Sequence, residues 1–236
     1  MTQGQWIRRV VKPAVFVLAL GPFAELVRDA FTEGLGTNPV ERVTHWTGFT
    51  AFTFLLLALS VTPLQKLLRL NALIQVRRML GLYAFFYACL HFTTYWVDQT
   101  VFSGEGLSLA LIAEDVAKRP YITVGFTAFL LLIPLALTST NAMLKRLGAA
   151  RWKALHRLVY FAAGGASLHY LWKGKMEEWW AVAYGLVLVG LLGWRVVTRR
   201  LETRRTPTSQ SVTPAAAASP AVGGTAPART PPGRTA

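Results

Sequence analysis

The sequence predicts an all-α fold: a polytopic membrane bundle of six transmembrane helices with both termini in the cytoplasm. Three observations predict it. Of 236 residues, 53% are hydrophobic and only 15% charged, against about 25% charged in a soluble domain, and the mean hydropathy is +0.38. Six stretches approach the roughly 20 apolar residues that a bilayer-spanning helix needs. Lysine and arginine outnumber aspartate and glutamate 25 to 11, a net charge of +14, and the excess gathers in alternate loops. This combination excludes several classes. A soluble enzyme does not expose so much apolar surface. A nucleic-acid binder carries its basic residues on a polar domain, so no nucleic-acid partner is expected. Cys89, the single cysteine, has no partner for a disulfide framework. The sequence holds no Walker loop, GxGxxG, CxxC or HExxH.

The first span covers residues 13–30; its apolar part, Ala14 to Ala24, is broken by Gly21 and Pro22, and Glu25, Arg28 and Asp29 follow that part. Arg8, Arg9 and Lys12 in front of it mimic the charged region of a signal peptide, but the small-residue cleavage site is missing. The second span, 45–61, is expected to stop at Pro63. The third covers 78–97, the fourth 121–138, the fifth 154–172 and the sixth 179–197. The fifth is the most polar and carries His156, Arg157 and His169. A cytoplasmic N-terminus places four basic clusters inside: Arg8 to Lys12, Lys66 to Arg78, Lys145 to Lys153 and Arg195 to Arg205. Arg42, Lys118, Arg119, Lys173 and Lys175 fall outside among more numerous acidic residues, which obeys the positive-inside rule. Trp6, Trp46, Trp96, Trp152, Trp172, Trp179 and Trp180 lie near span ends, as an aromatic belt requires. Residues 1–202 are thus expected to form the membrane domain. Residues 203–236, rich in Pro, Ala and Thr and without an aromatic, are expected to be a disordered cytoplasmic tail.

All four histidines, His45, His91, His156 and His169, lie in or at the ends of spans, where ionisable groups are costly and usually functional. A hydrogen bond between helices is the bland explanation for any one of them. Depth separates them. His91 lies 13 residues beyond Arg78, and His169 lies 13 beyond His156, each about 20 Å along a helix. His91 and His169 therefore reach a similar level from two different helices, near the outer face, and two facing imidazoles suit an iron held axially in a bundle core. Zinc fits less well, since no further Cys or carboxylate ligand lies at that depth. His45, at the outer start of the second span, stands open as an alternative ligand, a propionate partner or a quinol contact. His156 is a half-site at the inner level, for a second haem with an unusual or shared ligand or for none. Thirteen residues turn a helix through a net angle of about 220°, so His156 and His169 face different ways unless a kink re-phases them, for which Gly164–Gly165 is the candidate. Arg77, Arg78, Arg151 and Arg157 suit topology and snorkelling, or the anchoring of haem propionates or a flavin phosphate at the inner face.

The runs NPVERVTHWTG, RRMLGLYAFFYACLHFTTY, KRPYITVGF, LALTSTNAMLKRLG and RWKALHRLVYFAAGGASLHYLW closely resemble the MsrQ (YedZ) family of ferric reductase-like transmembrane proteins. The resemblance covers about residues 10–198. It implies six spans in the bacterial inner membrane, haem b and FMN as cofactors, and His91, His156 and His169 at haem-ligand positions. His45 matches a further family histidine. The wider family's inner histidine of the third span has no counterpart, so one haem is expected, with two as the alternative. The resemblance also implies a heterodimer with a periplasmic molybdopterin subunit that reduces methionine sulfoxide in oxidised proteins. Electrons would come from the quinone pool, as quinol, or from a cytosolic flavin reductase. The alternatives are a ferric reductase-like metal-ion reductase and a proton-coupled transporter using a histidine relay.

Overall fold

The computed structural model describes residues 2–102, 108–173 and 179–205. Among these residues there is no strand. Helix α1 (Gln3–Trp6) runs through a π-helical turn at Ile7–Val11 into α2 (Lys12–Phe31). Then come α3 (Pro39–Leu68), α4 (Ile74–Val97), α5 (Leu109–Lys118), α6 (Pro120–Leu137), α7 (Asn141–Leu147), α8 (Ala149–Leu155), α9 (Leu158–Lys173) and α10 (Trp179–Arg205). Residues 1–198 form one compact unit and residues 199–236 another, of which only the last turns of α10 are described. Of the expected disordered tail, 203–236, residues 203–205 still belong to α10, and those from 206 onward lie outside the described residues.

Five described stretches are long and apolar enough to cross a membrane: Gln3–Phe31, Pro39–Leu68, Asn71–Thr100, Pro120–Leu137 and Trp179–Thr203. Their outward side chains include Phe16, Val17, Leu18, Leu186 and Val189, all more than half exposed, the surface of a multi-pass membrane protein.

Two expectations are corrected. The second span does not stop at Pro63; α3 continues through it to Leu68 and ends at Arg69, which is left-handed with φ 55°. Proline is tolerated where neighbouring groups satisfy the opened ladder. The fifth span is not one helix. The chain turns at His156–Arg157, so that α9 has only 16 residues. Three-residue hydrogen bonds, from the amides of Arg157 to Ala154, Val159 to His156 and Tyr160 to Arg157, tighten this turn. The His156 Nδ1 atom lies 3.0 Å from the Trp152 carbonyl, a side chain competing with the helix for the same acceptor. The break in the helix therefore falls here and not at Gly164–Gly165, which lie inside α9, and it does not bring His156 to the face that His169 presents. Gly165 serves packing instead: a Cβ there would come within 3.1 Å of Ala128 on α6.

The two most extensive helix pairs are α3 with α4 and α6 with α9. Both are antiparallel, since residues early in the first helix meet residues late in the second: Thr44 meets His91, and Tyr121 meets His169. Hydroxyls of the LTST run turn the chain after α6. Thr138 donates to the Pro134 carbonyl at 2.6 Å, Ser139 donates to Leu135 at 2.6 Å, and Thr140 caps α7 by accepting from the Met143 amide at 3.1 Å.

The N-terminal helix is held through its backbone. The Tyr87 hydroxyl donates to the Ala19 carbonyl at 2.7 Å and accepts from the Phe23 amide at 3.1 Å. These two groups would otherwise bond each other in an α-helix. Beside Pro22, the hydroxyl thus bridges two backbone groups of α2 that lie one helical rung apart. Tyr83 donates to the Phe16 carbonyl at 2.9 Å, and the Trp46 indole donates to the Pro22 carbonyl at 3.1 Å. Tyr87 is wholly buried and stacks on Phe54, ring centres 5.5 Å apart at 2°.

Tyr87→Phe removes two hydrogen bonds to the backbone of α2 and is expected to destabilise the protein by about 1–3 kcal/mol, more than Tyr83→Phe, which removes a single bond. Thermal denaturation in detergent measures both; a Tyr87→Phe protein as stable as the parent would refute the bridging role of the hydroxyl.

Candidate functional site

Between the two antiparallel pairs lies a cavity of about 280 Å³ with a mostly apolar wall. Phe49 and Phe52 of α3, Phe92 of α4, Phe126 and Phe129 of α6, and Tyr170 of α9 supply much of that wall. Phe92 stacks on Phe129, with ring centres 5.0 Å apart. Inside it, His91 and His169 bring their ring centres to 6.2 Å at an interplanar angle of 73°.

Each ring is fixed by the backbone of its partner helix. His91 Nδ1 lies 2.8 Å from the Thr44 carbonyl, and His169 Nδ1 lies 2.7 Å from the Tyr121 carbonyl. A carbonyl only accepts, so Nδ1 carries a proton in both rings, and in the neutral ring Nε2 is left with its lone pair. This is the tautomer of a metal-ligating imidazole whose other nitrogen is held by a carbonyl. An iron about 2 Å from one nitrogen of each ring would separate the ring centres by about 6.3 Å, close to the separation found. The residues present therefore fit an iron porphyrin held by two imidazoles among aromatic walls.

One rim of the cavity is polar and includes Gln99, Arg119, Tyr121 and Lys173. Arg119 Nε lies 2.7 Å from Asp115 Oδ1, and the other oxygen of that carboxylate accepts from the Tyr95 hydroxyl at 2.5 Å. This chain ties α5 to α4 at the cavity mouth. The Arg119 guanidinium is held above its usual range, first by its hydrogen bond with Tyr121 and then, against partial desolvation, by the charge of Asp115.

His45 lines the same cavity and meets the edge of Tyr170, ring centres 6.4 Å apart. His156 does not. It lies by the far end of α6, stacked on Trp152 at 3.7 Å between ring centres, with Nε2 3.4 Å from the Ser139 hydroxyl. Arg77, Arg78 and Arg151 are not at this cavity either. Arg78 donates to Asn141 Oδ1 at 2.7 Å and ties α4 to α7, Arg77 is half-buried, and Arg151 is exposed. The cations beside the histidine pair are instead Arg119 and Lys173, which sequence reasoning assigned only to outer loops. One signal was available: Lys173 follows His169 by four residues, on the same helical face.

The family described as "Ferric reductase like transmembrane component" matches residues 47–167. Several similar proteins bear the name protein-methionine-sulfoxide reductase heme-binding subunit MsrQ. The one from Herminiimonas arsenicoxydans is 50% identical over 79% of this chain and 84% of its own length. That from Ralstonia nicotianae is 49% identical over 80% and 85%, and that from Xanthomonas campestris pv. campestris is 44% identical over 80% and 86%. No solved structure matches the chain.

Asp115→Ala strips partners from both the Tyr95 hydroxyl and Arg119, and is expected to lower stability by about 1–3 kcal/mol. Tyr95→Phe should recover most of that loss when added to Asp115→Ala; independent, additive effects in a double-mutant cycle would contradict the shared carboxylate.

Proposed function

Because the chain belongs to the ferric reductase like transmembrane family, and within it to the MsrQ family, we propose that it is the haem-binding membrane subunit of a protein-methionine-sulfoxide reductase. The observation that carries this reading is the His91–His169 pair, spaced for one iron with both Nδ1 atoms committed to backbone carbonyls. The bound haem b supplies one-electron storage. The chain's own residues do the rest. His91 and His169 would hold the iron, the apolar wall would exclude water, and the half-exposed Arg119 with Lys173 would receive the propionates at the rim by charge-assisted hydrogen bonds. His45 completes the wall beside Tyr170.

On this reading α9 is the fifth of six spans, both termini are cytoplasmic, and the cavity mouth faces the periplasm of a bacterial inner membrane. The positive-inside distribution supports that orientation. The partner is a periplasmic molybdopterin subunit that reduces methionine sulfoxide, and electrons arrive from quinol or a cytosolic flavin reductase. His156, flanked by Arg77, Arg78 and Arg151, is the candidate for the inner side, where FMN phosphate or a second haem would sit. The transporter alternative fits less well. A proton relay exchanges protons at both ring nitrogens, whereas Nδ1 of each cavity histidine is tied to a carbonyl.

His91→Ala and His169→Ala are each expected to abolish the reduced b-type absorbance at the cavity site in purified protein; full haem content in both variants would overturn the assignment. Arg119→Ala removes a positive charge near the iron and should lower the midpoint potential of that haem by on the order of tens of millivolts, read by redox titration.

A further inference from the structure

We propose that Gly48 and Gly125 are positioning residues for the two haem-ligand histidines, each providing a notch in which one imidazole is seated. This inference rests on the reading of His91 and His169 as ligands and adds what decides where those rings stand.

The observation is the space each glycine leaves. A Cβ at Gly48 would lie 2.9 Å from both Cε1 and Nδ1 of His91. A Cβ at Gly125 would lie 2.6 Å from Nδ1 and 2.8 Å from Cγ of His169. Real Cβ atoms do not approach a ring so closely, so alanine at either position displaces the imidazole. The two glycines occupy equivalent places. The carbonyl that holds His91 belongs to Thr44, four residues before Gly48, and the carbonyl that holds His169 belongs to Tyr121, four residues before Gly125. In helical register each carbonyl already accepts the amide of its glycine. A side chain at that following position leans back over the carbonyl and covers it. Glycine leaves the carbonyl open to a second donor from the neighbouring helix, and the imidazole packs flat into the gap. The device occurs twice, once in each antiparallel pair, on opposite sides of the cavity.

The two effects of a methyl group can be told apart. In a helix interior, Gly→Ala favours the helix itself. At Gly48 and Gly125 the same change pushes a ring off its carbonyl and away from the iron. Helix stability and haem binding are therefore expected to move in opposite directions, whereas a purely structural role would move them together. Controls lie on the helices that carry the histidines. Gly81 on α4 and Gly164 on α9 have nothing within 4 Å of an added Cβ.

The test measures haem per polypeptide, the reduced-minus-oxidised spectrum and the midpoint potential of full-length detergent-purified Gly48→Ala, Gly125→Ala, Gly81→Ala and Gly164→Ala, beside His91→Ala and His169→Ala. Gly48→Ala and Gly125→Ala are expected to keep their helical circular dichroism, to bind haem about tenfold more weakly, and to show a shifted potential or partial high-spin character. The larger effect is expected at Gly125, where the approach is closer. Gly81→Ala and Gly164→Ala should match the parent. Parent-like haem content, spectrum and potential in both Gly48→Ala and Gly125→Ala, while the histidine variants lose haem, would overturn the notch proposal and leave the ligand assignment standing. Full haem in the histidine variants would overturn both.

Discussion

The recurring contact in this fold is a side-chain donor on one helix reaching a backbone carbonyl of another. Tyr83, Tyr87 and Trp46 fasten α2 this way, at Phe16, Ala19 and Pro22. The Trp152 indole fastens α8 at Thr138 with 2.9 Å, and His91 and His169 bind Thr44 and Tyr121. In hydrocarbon every polar group must find a partner inside the protein. A helix carbonyl has a second lone pair after its own amide is satisfied, so it is the most widely available acceptor there. Bonds of this kind fix the height and rotation of one helix against the next, which apolar packing between greasy surfaces does poorly.

The proposed redox site is built from the same contact, which links fold to chemistry. A ligand ring pinned at Nδ1 has a set orientation and a more basic second nitrogen. Its tautomer is set before any cofactor arrives. The polar rim carries the opposite kind of group: Arg119 is half-exposed and held by Asp115, which in turn accepts from Tyr95. A dry, aromatic interior with charge confined to one edge separates the function of holding a metal from that of anchoring anionic groups.

Composition and periodicity gave the all-α membrane class and the approximate place of most helices, because apolar length is written directly in the sequence. The common level of His91 and His169 was also legible, since a rise per residue converts spacing into depth. Other features were hidden because they depend on which helix faces which. Pro63 reads as a stop, yet α3 passes through it. The turn at His156 is decided by Trp152 and its carbonyl, a contact that hydropathy does not report. Arg77, Arg78 and Arg151 outweighed Arg119 in the sequence because charge density marks topology more strongly than it marks a site. Gly48 and Gly125 gave no sign, for a glycine becomes meaningful only when the ring opposite is known.

The turn at His156 also sets a length. Helix α9, with 16 residues, rises about 24 Å, short of the roughly 30 Å hydrocarbon thickness of a typical bilayer. On the six-span reading this deficit must be met by local thinning of the lipid or by interfacial side chains such as Trp172, half of whose surface is exposed. The shortest span is the one that carries His169. On the proposed assignment, acyl-chain length thereby becomes a force on His169, and the membrane's thickness is coupled to the proposed redox site.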